Sequence, residues 1–209
     1  MRNYKDKVFV IKSINLKEAD KIITVFGKEK GKFSIFAKGV RKFTSKNRPN
    51  IQTFSISAIS YYQASGLPLL LESEQLEYID YEKVSSENVG RVLFLLNTFL
   101  AQEIKNEKIF KALQVVIKNN VSDEVVNKFR MVFLAQEGLL NSEDECSICK
   151  KQIKNEYLNL NNFALICSNC YIRERNKDIY IKIDKEIYKD PKFTISLDKY
   201  IKKIYSDLV

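Results

Sequence analysis

The apolar residues of this chain change their period once, close to residue 80, and that change limits the folds open to it. Between Lys7 and Ile79 they alternate or fall into short apolar runs broken by turn signals, the pattern of strands. Five strands are predicted, near Lys7–Ile14, Lys21–Phe26, Gly31–Gly39, Ile51–Gln63 and Leu69–Ile79. The breaks are Asn15–Asp20, the tight Gly27-Lys28-Glu29-Lys30, the long basic loop Val40–Asn50 and Ser65-Gly66-Leu67-Pro68. Five strands with one long loop between the third and fourth suit a small closed barrel of the OB type. An SH3-like barrel or a sandwich fragment is the alternative.

From Ser85 the spacing is helical. Val89, Val92, Leu93, Leu96, Phe99 and Leu100 form a stripe behind a Ser-Ser cap, predicting a helix to about Ile104. Ile109, Leu113, Val116 and Ile117 make a second, and Ser122 opens a third that Gly138 stops. Beyond the acidic lead-in Glu143-Asp144-Glu145 and a cysteine-bearing segment, a short alternating piece spans Ile179–Ile183. Leu197, Tyr200, Ile201, Ile204, Tyr205 and Leu208 then close the chain with an amphipathic helix. The expected class is α+β: an OB-type barrel over residues 1–80, then a helical domain over 81–209 with a zinc-binding insert at about 141–175.

Cys146-Ser147-Ile148-Cys149 and Cys167-Ser168-Asn169-Cys170 are separated by 17 residues. Each Cys-x-x-Cys turn brings two thiolates to one ion while its amides face the sulfurs, and two turns complete a tetrahedral shell. That spacing is the range of a four-cysteine zinc ribbon or knuckle holding one structural Zn²⁺. A redox dithiol pair and an iron–sulfur cluster are the alternatives. With four protein ligands no position is left to activate water, which disfavours catalytic zinc. The site would carry a formal charge near −2, which Lys150, Lys151, Arg173 and Arg175 can offset.

Met1 leads into an alternating strand and not into a secretory leader, and the longest aliphatic and aromatic stretch, Val92–Leu96, is far too short for a bilayer. A cytoplasmic location is expected, where cysteines serve more often as ligands than in disulfides. The chain has no histidine, which removes Ser-His-Asp and Cys-His catalysis together with His-ligated metals.

Charge is distributed unevenly. Residues 1–50 hold 14 Lys and Arg against 4 Asp and Glu, a net of +10, whereas the chain as a whole stands at +9. A polyanion partner follows more readily from such asymmetry than from a uniformly high pI. The excess is concentrated in GKFSIFAKGVRKFTSKNRP, Gly31 to Pro49. On a strand, Phe33, Ile35 and Ala37 face the core, while Lys32, Ser34, Phe36 and Lys38 face outward. Arg41, Lys42, Lys46 and Arg48 extend the cations into the loop. The residues predicted to bind a nucleic acid are therefore Lys32, Lys38, Arg41, Lys42, Lys46 and Arg48 on phosphates, with Phe36 stacking on a base. Solvated lysines and a buried Phe36 are the alternative.

Gly27-Lys28-Glu29-Lys30-Gly31-Lys32-Phe33 approaches a Walker A loop, but the glycine gap is one residue short, Phe replaces Ser or Thr, and the segment lies in a hairpin. A metal-dependent nuclease would need clustered carboxylates, and Glu18 and Asp20, the nearest candidates, read as turn chemistry beside Lys17 and Lys21. No catalytic residue is assigned and no enzymatic activity is expected. An RNA- or transcription-associated OB-plus-zinc-ribbon module and a structural adaptor remain open as alternatives.

Several segments carry a family resemblance: Val10-Ile11-Lys12, Glu18-Ala19-Asp20-Lys21, Phe26 to Lys32, Ala37-Lys38-Gly39-Val40-Arg41-Lys42 with Ser45-Lys46, Ile51-Gln52-Thr53-Phe54, and Glu137-Gly138-Leu139-Leu140 ahead of the cysteine pairs. In these the chain resembles the RecO family of recombination mediators. The resemblance implies a non-enzymatic, bacterial, nucleoid-associated DNA repair factor with an N-terminal OB fold and a zinc-bearing helical domain. It further implies binding of single- and double-stranded DNA, annealing of complementary strands without ATP, and work with RecR in the RecF pathway to load RecA onto strands coated by single-strand binding protein (SSB). Contact with the SSB C-terminal tail is implied for the helical domain. That family is longer beyond the cysteines, so a reduced C-terminal part is expected in the stretch Tyr171–Val209.

Overall fold

The structure is a computed structural model and describes residues 3–63, 65–140, 145–153 and 156–208. Five strands open the chain: β1 (Asn3–Leu16), β2 (Asp20–Gly27), β3 (Gly31–Ala37), β4 (Ile56–Tyr62) and β5 (Leu69–Glu77). They hydrogen-bond in the order β1-β2-β3-β5-β4, and β4 returns to β1, so the sheet is a closed barrel. All neighbours run antiparallel except β3 and β5, which meet in parallel at Phe36 and Leu69. This is a five-stranded barrel of the OB type. Its interior is filled by the inward set of each strand, among them Val8, Val10, Ile23, Val25, Phe33, Ile35, Ile59 and Tyr61.

Two strand boundaries differ from the sequence expectation for identifiable reasons. β1 starts at Asn3 and not Lys7, because Asn3 to Phe9 pair with β4 while Val8 to Leu16 pair with β2. β4 starts at Ile56 and not Ile51: Arg48–Ile51 form a 3-10 turn with Pro49 at its start, and Phe54 stands at φ +61°, outside the extended region.

Helices α1 (Ser86–Thr98), α2 (Glu107–Lys118) and α3 (Asp123–Gln136) follow. Ser85 and Asn106 cap the first two by accepting from the amides of Asn88 and Ile109. α1 ends before the expected Ile104 because the chain turns there to join β3: Glu103 has φ +55° and its amide donates to the Lys32 carbonyl at 2.9 Å. Gly138 at φ +70° closes α3, with the Leu139 amide returning to the Leu134 carbonyl at 2.8 Å.

By compactness the chain forms two units, residues 1–130 and 131–209. In the first, α1 and α2 lie with the barrel and cover one end of its outer surface. Phe26 of β2, outward by alternation, is buried with its ring 6.0 Å from that of Phe110 on α2. At Gly31, φ +79°, a Cβ would stand 2.4 Å from the Ile104 carbonyl oxygen, so only glycine permits this approach.

The second unit contains a small antiparallel sheet ordered β7-β6-β8, from β6 (Tyr157–Asn159), β7 (Leu165–Ile166) and β8 (Tyr180–Lys182). It also holds α4 (Ser168–Arg173) and α5 (Pro191–Leu208). Phe163 packs on Phe193 and Tyr200, with ring centroids 5.8 and 4.9 Å away, and the Tyr200 hydroxyl donates to the Leu139 carbonyl. Glu143 and Asp144 of the acidic lead-in lie outside the described residues. Among the described residues no helix is long and apolar enough to cross a membrane.

Candidate metal centre and candidate nucleic-acid interface

The four cysteines converge. Their sulfurs all lie within 4.8 Å of one another, and Cys149 Sγ is 3.8 Å from Cys167 Sγ. A tetrahedral ion with sulfur bonds of about 2.3 Å separates its ligands by about 3.8 Å, so the spacing suits a metal ion. The first pair sits on a tight turn in which the Lys150 amide donates to the Cys146 carbonyl at 2.8 Å and Lys150 takes φ +61°. The second pair brackets the start of α4, where the Tyr171 amide donates to the Cys167 carbonyl. β6 and β7, between the pairs, return the chain so that the Cys167 amide donates to Cys146 Sγ at 3.4 Å.

Burial pushes the Cys146 thiol up, but the amides of Cys149, Cys167 and Ile148 outweigh it and bring the pKa down to about 6. Cys170 is pushed up to about 12 by its hydrogen bond with Cys167 and by burial. Ile153 and Ile166 pack with the buried cysteines, and Tyr157 stacks on Tyr171 at 3.8 Å. Lys150, expected to offset the charge of the site, pairs with Glu145 at 2.9 Å.

The basic segment divides differently from its alternation. Lys32 does point outward, but that end of the barrel lies beneath α1, so it is a buried helix-terminus partner and not a phosphate ligand. Its ammonium donates to the carbonyls of Leu96 at 2.9 Å, Asn97 at 2.8 Å and Leu100 at 3.2 Å. Leu96 and Asn97 belong to the last turn of α1, whose carbonyls lack helical partners, and Leu100 lies just past it. Burial holds the Lys32 pKa below the usual lysine range.

Phe36 is half-buried and not freely exposed. It stands in an outward row formed by cross-strand pairing, Ile14 with Ile22, Ile22 with Phe36, Phe36 with Leu69 and Leu69 with Tyr62. The neighbouring row carries Lys12, Thr24 and Ser34, the two hydroxyls 3.3 Å apart.

Lys38, Arg41, Lys42, Lys46 and Arg48 are all exposed, and side-chain hydrogen bonds hold their loop on the barrel. Asp20 accepts the Gly39 amide at 2.7 Å, and the Arg41 amide donates to the Ala19 carbonyl at 2.9 Å. Asn47 donates to the Leu71 carbonyl and accepts from Ser73 Oγ, while Asn50 donates to the Ser73 carbonyl at 2.7 Å. Asp20, weighed as a nuclease carboxylate, thus caps the loop. The sequence reading missed Phe43, which is 94% exposed in the middle of these cations. Its signal was present: Lys42-Phe43-Thr44 interrupts the basic run with an aromatic that has no strand partner.

Residues 1–79 match the family described as Recombination protein O N terminal, and the match ends just past β5. The DNA repair protein RecO of Clostridium acetobutylicum is 28% identical over 181 residues, which are 81% of this chain and 72% of the relative. The chain resembles the RecO proteins. RecO of Desulforamulus reducens is 27% identical over 84% of this chain and 72% of its own length. RecO of Mycoplasma mycoides is 28% identical over 87% and 75% respectively. The RecO likeness therefore runs well beyond the barrel.

Proposed function

We propose that the chain is a DNA repair and recombination mediator that binds single- and double-stranded DNA through the loop Lys38–Arg48 and anneals complementary strands without ATP or catalytic chemistry of its own. The observation that carries this reading is the exposed set Lys38, Arg41, Lys42, Lys46 and Arg48 around Phe43, mounted on a loop pinned to an OB-type barrel. Annealing requires that two phosphate backbones be neutralised while base edges stay free, which lysines and arginines with few base contacts achieve. Phe43 in the loop and the half-buried Phe36 in the outward row supply rings on which unpaired bases stack. Lys32 has no part in this surface.

Similarity to RecO proteins supports the repair and recombination role. By the same likeness the chain works with RecR to load RecA onto strands coated by SSB, touching the SSB tail. The cysteine cluster holds one structural zinc ion. Its chemistry is four thiolate ligands and no open position, which is scaffolding.

Annealing of complementary oligonucleotides, measured against salt without nucleotide, tests the reading. Log affinity should fall linearly with log salt, and Arg41→Gln with Lys42→Gln should reduce the slope by about two phosphate contacts. An unchanged slope moves the DNA site off this loop. Preference for structured RNA without annealing would indicate an RNA-binding module instead.

A further inference from the structure

The geometry points to a second kind of ligand site, a pocket for a phosphate monoester in the mouth of the barrel. Asn15, Lys21, Val40, Arg41, Arg48 and Ile51 line a cavity of ≈ 320 Å³. Lys21 pairs across the sheet with Asn15 on one side and with buried Ala37 on the other, so these side chains leave the strands on the inward face, at the open end of the barrel. Val40 and Ile51 belong to the barrel core and close the cavity from behind. Mouths of barrels are recurrent ligand sites.

Every charged residue of the lining is a cation. It includes Lys21, Arg41 and Arg48 and no carboxylate. Asp20, the adjacent acid, is turned to the Gly39 amide. Among the described residues no carboxylate pairs with Lys21 or Arg48. Arg41 is held by its amide to Ala19 and by Nη1 to the Lys17 carbonyl at 3.0 Å, which leaves the rest of its guanidinium fork available. Three cations mounted around so small a space repel one another unless an anion sits between them.

A phosphate monoester matches this lining better than a backbone diester. It carries a charge of about −1.5 to −2 and three free acceptor oxygens, one for each cation. A diester carries about one charge, has two free oxygens, and must continue along the chain on both sides. A cavity closed behind by Val40 and Ile51 accepts a terminus more easily than a through-running strand. The group can come from the 5′-phosphorylated end of a DNA strand or from a free nucleotide. The first source rests on the DNA reading above; the pocket does not.

The test compares the full chain binding a 5′-phosphorylated oligonucleotide, the same oligonucleotide with a 5′-hydroxyl, and dAMP against deoxyadenosine. The phosphorylated strand should bind about tenfold tighter than the hydroxyl strand, as charge-assisted hydrogen bonds to an ionised group imply. In Lys21→Gln the phosphate-to-hydroxyl ratio should fall toward one, and Lys21→Arg should restore it. Reading a ratio cancels any general change in DNA affinity, and thermal melting of both variants checks that they fold. Equal binding of the two oligonucleotides, with no binding of dAMP, overturns the pocket and leaves the DNA reading standing. Binding of dAMP that is lost in Lys21→Gln, with neither oligonucleotide bound, supports the pocket and overturns the DNA reading.

Discussion

The Lys32 ammonium lies 2.8 Å from the carbonyl oxygen of Asn97, in the last turn of α1. A lysine on a barrel strand thus completes the terminus of a helix. Lys32→Ala leaves the carbonyls of Leu96, Asn97 and Leu100 without this donor in a buried place. We expect a loss of about 3 kcal/mol in chemical denaturation. The salt slope of DNA binding by the folded variant should stay unchanged, because this residue does not reach the proposed interface.

Gly31 fixes the same junction by backbone shape. Its φ of +79° and the Ile104 backbone at 2.4 Å oppose any side chain. Gly31→Ala should destabilise by about 2–4 kcal/mol, whereas Gly66→Ala, where a Cβ meets nothing within 4 Å, should stay within about 0.5 kcal/mol.

Asp6 gives a pH dependence of definite sign. Burial raises its pKa above the ordinary carboxylate value, although the amides of Glu29 and Lys30 donate to it and pull the other way. The native state therefore holds this proton where the unfolded chain has lost it, so its contribution to stability falls as pH rises between the ordinary and the raised value. Asp6→Asn should abolish that component. Unfolding free energies measured from acid to neutral pH should show the wild type losing ground to the variant across this window.

Phe43 should matter to single strands more than to duplexes. Phe43→Ala should weaken single-strand binding by about 1–3 kcal/mol and change protein stability little, since the ring is 94% exposed. Equal losses on duplex and single strand would argue against stacking.

The cysteines differ in burial, and their replacements should differ accordingly. We expect about one zinc per chain by mass spectrometry. Chelation should speed amide exchange in β6 and β7 by at least about tenfold, because the metal would hold the segments that these strands join. Cys146→Ser, at a fully buried position, should lose more zinc affinity than Cys149→Ser, at an exposed one.

The barrel was legible because alternation and turn residues agree over most of its length, from Lys21–Phe26 matching β2 to Leu69–Ile79 matching β5. The cysteine cluster was legible because Cys-x-x-Cys spacing is itself a geometric statement. Lys32 was misread for a specific reason. Alternation says which side of a sheet a residue faces, but only tertiary packing says whether that side meets water or a helix. Phe43 was passed over because it belongs to a loop, where no period marks it. β6 and β7 are too short, at three and two residues, for a period to register.

The sharing of β1 between two neighbours bears on how the chain comes to be folded. Its later half pairs with β2 across a short turn, but its first half waits for β4, with Asn3 meeting Tyr62. The meander β1-β2-β3 needs only local loop closure, whereas the ring also needs β4 on the first half of β1 and β5 between β4 and β3, and the β1–β4 and β3–β5 pairings are both distant in sequence. The barrel therefore owes its closure to two seams of high sequence separation, Asn3–Phe9 with Ile56–Tyr62 and Phe36 with Leu69, and truncation before Leu69 would leave both β3 and β4 with an open edge.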